Sequence, residues 1–417
     1  MRIGYASLTV GVRDTKYRSL RKDRATNDNL REIIAHNLSV LSRMLDYNIQ
    51  NKIKMFRISS DIIPFGSHPV NDLLWWQEFE SELRELGQKA MVNDIRLSMH
   101  PGQYTVLNSN NEEVVARAIE DLEYHTRFLD SLGLDKSNKI ILHIGGAYGD
   151  KDSAMQRFIQ NYQGLDQKIK DRLIIENDDR TYNIKEVLDI SKKANIPVVY
   201  DNLHNHVNPF DDSSDLYWIK ESAKTWDTSD GRQKTHYSQQ NKLKRAGSHT
   251  DTIDLDEFSN YLNSLDEFDI DIMLEVKDKN LSAIKAINLL SDKSIKTLEE
   301  EWARYKYLVL EHCQKSYNEI RSLLKDKDAY PVIEFYEILD KALEKEVSPN
   351  NALNAAQHIW GYFRKKTSEK EKVKIQKEVD LVSQGKSPLR LKKILWELSN
   401  EFEENYLLNS LYFKDVM

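Results

Sequence analysis

RLIIE (Arg172–Glu176) is a short apolar run that stops on a carboxylate, and its recurrence decides the fold. IRLSM (Ile95–Met99) leads into His100. KIILH (Lys139–His143) ends on His143, and PVVYD (Pro197–Asp201) ends on Asp201 with His204 close behind. DIMLE (Asp271–Glu275) ends on Glu275. RQKTHY (Arg232–Tyr237), the least apolar of the set, carries His236, and GSHTD after it carries His249. Two further strand candidates, Arg2–Leu8 and Lys54–Ser59, bring the number to eight. Between them helical spacing predicts Asn29–Tyr47, Trp75–Leu86, Glu112–Leu132, Ile184–Ala194 and Leu255–Leu265, with Asn27 as a helix N-cap. Eight strand–helix units in about 290 residues predict a (β/α)₈ TIM barrel. An open doubly wound sheet usually shows a Gly-rich turn after its first strand. Here SLTVGVRDT follows, and neither GxGxxG nor a Walker A motif occurs.

From about Lys296 the strand-like runs stop and Lys/Glu-rich helical periodicity takes over. The spacing predicts helices near Leu298–Lys325, Ile333–Glu346, Asn351–Lys366, Glu369–Gln384 and Leu389–Leu408. Trp360, Tyr362, Phe363, Trp396 and Tyr406 can supply their core. The expected organisation is a barrel domain over 1–295 and an appended all-α domain over 296–417, which carries no catalytic constellation.

Of the 417 residues, 40% are hydrophobic and 30% charged, as in soluble globular proteins. MRIGYASLTV is too short and polar for a signal peptide, and no apolar run approaches the ~18 residues of a membrane span. The one cysteine, Cys313, excludes an internal disulfide and a cysteine-built metal site. We expect a cytoplasmic monomer with no membrane contact. The net charge of -7 argues against a protein that coats nucleic acid nonspecifically. One basic segment stands out: Arg13, Lys16, Arg18, Arg21, Lys22 and Arg24, against Asp14 and Asp23. By itself such a block reads as a solvated loop.

In a parallel barrel the C-terminal ends of all strands open on one rim. His100, His143, Glu176, Asp201, His204, His236, His249 and Glu275 then converge. Several carboxylates and imidazoles gathered in one mouth are costly without cations to neutralise them. Carboxylates can bridge ions, so a cluster of two or three divalent metals is expected. Such clusters suit phosphoryl transfer, and mixed nitrogen and oxygen ligands accept Mn²⁺ or Zn²⁺. His68, in PFGSHP, lies on the rim side, within reach of a phosphate. His36, His125, His312 and His358 read as structural, and His206 as undecided.

SSDIIPFGSHP, RLSMHPGQYTVLNS, HIGGAYGDK, IIENDD, DNLHNH and KTHYS resemble, in order and spacing, the signature stretches of the ultraviolet-damage endonuclease family. The resemblance runs from residue 1 to about 290. It implies a manganese-dependent enzyme that cuts damaged double-stranded DNA 5′ of pyrimidine dimers, 6-4 photoproducts and abasic sites. It also implies that the eight residues above are metal ligands and that Glu176, His236, Lys234 and His68 are catalytic. Gln103 and Tyr104 become a lesion-probing pair, and Tyr5 an aromatic near the damaged bases. Lys234 corresponds to a lysine that in the family can be carboxylated. Arg13, Lys16 and Arg18 would then meet phosphates. Ser7 stands where the family commonly has an asparagine. HIWGYFRKK and NYLLNSLYF resemble a small helical domain of unassigned function. The rival readings are an endonuclease IV-like abasic-site enzyme and a xylose-isomerase-like sugar isomerase. The Gln103–Tyr104 pair disfavours the first. The basic segment and the number of candidate ligands disfavour the second.

Overall fold

The computed structural model describes residues 1–266, 268–291 and 294–417. Eight parallel strands close into a barrel in sequence order: β1 (Ile3–Ala6), β2 (Met55–Ile58), β3 (Arg96–Met99), β4 (Ile140–His143), β5 (Leu173–Glu176), β6 (Val198–Asp201), β7 (Lys234–Tyr237) and β8 (Asp271–Leu274). Each is followed by helix, so this is the expected (β/α)₈ TIM barrel. Two compact units emerge. The barrel unit comprises 1–9, 15–253 and 258–287. The helical unit comprises 10–14, 254–257 and 288–417.

Successive residues of a strand face opposite sides, and this parity stratifies the interior. At the N-terminal end, Arg96 Nη1 lies 3.1 Å from the Asp271 carboxylate, which Arg2 also reaches at 3.0 Å. Above this ionic floor sit apolar groups: Ala6 with Met55 and Met273, and Ile141 with Ile174 and Val199. The inward positions that come next are the strand ends, where packing gives way to chemistry. Register brings these ends together in pairs. His143 is the ladder partner of Glu176, and Asp201 that of His236.

Several helices differ from the spacing-based expectation. Trp75–Leu86 is two helices, Trp75–Glu78 and Glu80–Val92, broken at Phe79. The first barrel helix, Asn27–Gln50, is capped by Thr26, whose hydroxyl accepts from the Asn29 amide, and Asn27 is already helical. In the helical unit Leu298–Lys325 is Ile295–His312 and Gln314–Leu323. Cys313 between them is extended, and its sulfur accepts from the Ser316 amide. Leu389–Leu408 likewise divides into Leu389–Glu401 and Asn405–Leu408. Periodicity survives such breaks because one apolar face continues through them, so spacing alone does not reveal them. The core of this unit includes Leu310, Ala355, Ile359, Phe363, Leu395 and Phe413, with Trp360, Tyr362, Trp396 and Tyr406 packed against it. Among the described residues no helix is long and apolar enough to cross a membrane.

Helix Glu80–Val92 meets the end of Glu112–Ser131 at Gly87, where a Cβ would fall 1.7 Å from the Leu132 carbonyl oxygen. Backbone cannot yield as a side chain can. Gly87→Ala should destabilise the protein by about 1–3 kcal/mol. Gly102→Ala, with nothing within 4 Å of the added carbon, should change stability by less than ~0.5 kcal/mol. Equal denaturation midpoints for the two variants would refute this packing.

Candidate metal centre

Glu176 is the hub of the rim. It is 1% exposed, and four imidazoles surround it. His236 Nδ1 lies 2.8 Å and His204 Nδ1 3.5 Å from Oε1, while His100 Nε2 lies 3.4 Å and His143 Nε2 3.8 Å from Oε2. Asp201 is fully buried beside them. Its Oδ1 accepts from the His204 amide at 2.7 Å, so it also caps the short helix Asn202–Val207. Glu275, just past β8, lies 3.3 Å from His236 Nδ1 and is ion-paired to Arg57.

The ring orientations are set from behind. His204 Nδ1 is 2.9 Å from the Asn177 carbonyl oxygen, and His100 Nδ1 is 2.9 Å from that of Pro101. At His100, donation through Nδ1 leaves the Nε2 lone pair for the centre, as in metal sites whose imidazoles are held by outer hydrogen bonds.

Burial pushes the Glu176 carboxyl up. His236 and His143, with hydrogen bonds from His100 and His204, outweigh it and hold the group well below the carboxylate range. Burial likewise opposes ionisation of Glu275, but Arg57 and His236 hold it low. Asp201 is raised, by burial first and then by Glu176 and Glu275, against the pull of His204 and His236. His143 falls to about 4, again chiefly by burial, with the neighbouring His100 and His204 adding to it. His204 goes the other way. Burial lowers it, yet Asp201, Glu176 and Glu275 carry it up to about 11. The mouth thus holds more carboxylate than fixed cation.

Does a metal cluster fit these residues? Among the described residues, Asp201 Oδ2, His236 Nε2 and His143 Nδ1 are buried without a hydrogen-bond partner, and Glu176 Oε2 has only the imidazoles at 3.4 and 3.8 Å. A buried lone pair left unpaired costs about 1–3 kcal/mol, more when charged. Two ligand triads, His100–His143–Glu176 and Glu176–Asp201–His236, have donor atoms all within 4.8 Å of one another. Glu176 belongs to both. A shared carboxylate between two nitrogen- and oxygen-rich triads is the donor set of a bridged divalent pair, so the residues fit.

His249 is half-buried in an antiparallel bridge with Gln240. It lies outside both triads and acts on the centre through Glu275, whose carboxylate it helps hold down. Lys234 is fully buried on β7, at the inward position preceding His236, and among the described residues its Nζ has no hydrogen-bond partner. Burial, then Arg96 and Arg57, push its ammonium far below the ordinary lysine value. His68 is exposed in the loop after β2, with Lys22 Nζ 3.3 Å from its Nε2. It lines, with His100 and Tyr104, a cleft of about 1030 Å³. Gln103 and Tyr104 form an exposed turn on the same loop as His100, and the Tyr104 side chain is 83% exposed.

Tyr5 corrects an expectation. It has no exposed surface, packs on Phe56, and its hydroxyl bonds Thr9 and Asn48. The cause is parity: Ala6 faces inward with Met55 and Met273, so Tyr5 faces the helix layer. The basic segment also divides. Lys16 and Arg18 are exposed in the barrel unit, whereas Arg13 belongs to the helical unit and pairs with Asp14. His125, read as structural, is buried and bonds Ser60 Oγ at 2.9 Å. That hydroxyl donates in turn to the His100 carbonyl. His206 is exposed, 3.3 Å from Asp215.

The model of the UV-endonuclease UvdE family matches residues 2–306. The chain belongs to this family. A UV DNA damage endonuclease of Clostridium perfringens (strain 13 / Type A) is 42% identical over 409 residues, 95% of this chain and 96% of that protein. One of Bacillus cereus (strain G9842) is 33% identical over 302 residues, 70% of this chain and 95% of that protein. The crystal structure of SacUVDE matches with a TM-score of 0.66 at 37% identity, covering 70% of this chain and 98% of that one. Residues 306–415 match a second model, Protein of unknown function (DUF1722).

Sequence reasoning about this UvdE chain missed the residues that align the ligands. Asn177 donates to the Asp201 carbonyl at 3.0 Å and accepts from the Asp201 amide at 2.9 Å. Asn202 does the same to Ser238, at 3.1 and 2.9 Å. Each amide carries the sheet ladder beyond its last backbone rung. The signal was visible as Glu-Asn after β5 and Asp-Asn after β6. Arg57 was signalled too, as a charged residue at an inward position of β2.

His204 is charged in the metal-free protein, because its folded value of about 11 exceeds the ordinary 6.5. That contribution to apo stability is complete below ordinary imidazole titration and is lost as pH rises towards the folded value. A ligand imidazole must be neutral. Cation uptake should therefore release a proton, and affinity should rise between about pH 7 and 9. Calorimetric titration of Mn²⁺ in buffers of different ionisation enthalpy measures this. Binding without proton release would contradict the arrangement.

Proposed function

We propose that this chain is a metal-dependent endonuclease that nicks double-stranded DNA immediately 5′ of ultraviolet lesions, with abasic sites as further substrates. One observation carries the reading. In a chain of the UvdE family, the buried carboxylate Glu176 belongs to two ligand triads of imidazoles and carboxylates at the strand ends.

His100, His143, Glu176, Asp201, His204 and His236 would hold two or three divalent ions, with Glu275 and His249 completing the shell. We take the metal to be Mn²⁺, with Zn²⁺ the alternative. When bound, such ions lower the pKa of water and stabilise charge on phosphorus and the leaving oxygen. The chain's own groups do the rest. Arg57 neutralises Glu275 and keeps the mouth from excess negative charge. Burial, which pushes the Lys234 ammonium far below the ordinary lysine value, weakens any repulsion of cations there. His68 on the cleft wall, Lys22 beside it, and Lys16 and Arg18 on the loop that carries Lys22 would take non-scissile phosphates.

Lesion choice falls to Gln103 and Tyr104. An exposed ring and a planar amide can fill the gap left when a distorted dinucleotide leaves the stack. Poorly paired bases cost less to extrude than intact ones. We assign this activity to residues 1–295, acting as a monomer, and place no catalytic role in 296–417.

Irradiated plasmid incubated with Mn²⁺ should be nicked while undamaged plasmid stays supercoiled, leaving 3′-hydroxyl ends that a polymerase extends. Glu176→Gln should lower the rate by at least about 100-fold, since the hub ligand is lost. Tyr104→Ala should forfeit about 1–3 kcal/mol of lesion preference through lost stacking. Equal cutting of both plasmids, or of neither, would overturn the proposal.

A further inference from the structure

In the helical unit, the segments around HIWGYFRKK and NYLLNSLYF bring a set of rings together. Tyr362 and Tyr406 stack at 6.3 Å with 12° between their planes. The Tyr307 and Tyr362 hydroxyls lie 3.1 Å apart, and Trp302 packs on Tyr317 at 5.4 Å. Cations are set among them. Lys306 Nζ is 4.6 Å from the ring centres of both Tyr307 and Tyr406, and the Arg321 guanidinium is 5.7 Å from that of Tyr317. Trp302, Lys306, Tyr317, Tyr362 and Tyr406 are half-buried and Arg321 is exposed, so the set reaches the surface.

Other cations of this unit that touch its core or helix faces meet carboxylates: Lys392 meets Glu311 at 2.8 Å, Lys341 meets Glu337 at 2.8 Å and Arg304 meets Glu301 at 3.1 Å. Among the described residues, Lys306 and Arg321 have no acidic partner. Burial lowers the Lys306 ammonium, and the charged group that adds to this is Arg321, a second cation. Beside Tyr362, Arg364 and Lys365 are exposed, and Lys366 meets Glu404 only at 3.9 Å. Contact with the rings stabilises these cations, and without a carboxylate beside them the edge of the cluster stays electropositive.

Aromatic faces interleaved with unmatched cations are the chemistry of an unpaired nucleic-acid strand, in which each base has a free face and each linkage a negative charge. In a duplex those faces are covered. We infer that Trp302, Lys306, Tyr317, Arg321, Tyr362 and Tyr406 form a binding surface for single-stranded DNA. The choice of DNA over RNA rests on the function proposed for the barrel; the stacking surface does not.

The full-length protein is tested for binding of labelled oligothymidine of about 20 nucleotides, longer than the roughly 4–16 that a stacking groove spans. Tyr406→Leu should weaken binding about tenfold, the loss of one stacked base. Lys306→Gln with Arg321→Gln should reduce the slope of log affinity against log salt by about 1.4, or ~0.7 for each phosphate released. Arg321→Gln alone, at an exposed position that does not threaten folding, should give half of that. Glu176→Gln should bind oligothymidine as wild type does while failing to nick, which separates this inference from the catalytic one. Unchanged affinity and slope in folded variants would overturn it. So would a loss confined to oligouridine, which would assign the surface to RNA, or to an acidic polypeptide competitor.

Discussion

One buried carboxylate organises the active end of the barrel. Glu176 is sealed from solvent, so its ionised state is tolerable only because imidazoles crowd it from four strand ends. The same crowding makes the imidazoles depend on it. Without the carboxylate, His100, His143, His204 and His236 would be like-polarity neighbours in a low-dielectric mouth. The arrangement balances for a protonated His204 in the absence of metal, and for divalent ions when ligands are deprotonated. Both states meet the same demand for positive charge near three carboxylates. The barrel supplies the geometry by register, since the ladder makes His143 the neighbour of Glu176, and Asp201 the neighbour of His236.

Below this mouth the interior is built to stay out of the chemistry. The ionic floor of Arg96, Asp271 and Arg2 lies at the opposite end of the strands, and an apolar layer separates it from the ligands. Lys234 is the exception. It belongs to the same inward row as His236 but has no hydrogen-bond partner among the described residues, and burial with two nearby guanidinium groups pushes its ammonium far below the ordinary lysine value. A cation in that position would have opposed every metal in the mouth.

Much of this was legible in the chain. Strand ends are marked because a strand's apolar row must end where its polar role begins, so His100, His143, Glu176, Asp201, His236 and Glu275 announced themselves. Parity was equally legible, and applying it at β1 would have turned Tyr5 towards the helix layer. The helix breaks at Phe79 and Cys313 were hidden, because an apolar stripe continues across them. Residues that act on other residues were the hardest to see. Ser60 and His125 reach His100 through its backbone, and backbone partners leave no pattern in side-chain spacing. The unpaired cations of the helical unit were hidden as well, since a sequence rich in both signs does not reveal which charges meet.

Asn177 and Asn202 tie consecutive strand ends to one another, β5 to β6 and β6 to β7, so Glu176, Asp201 and His236 are fastened in a single chain of amide bonds. The turn bearing Gln103 and Tyr104 is not part of that chain. The rim is therefore held in two ways: an arc cross-tied by side-chain amides, and an exposed turn beside it. On the proposed function, the tasks of holding ions and of meeting the duplex would therefore fall on separate parts of the rim.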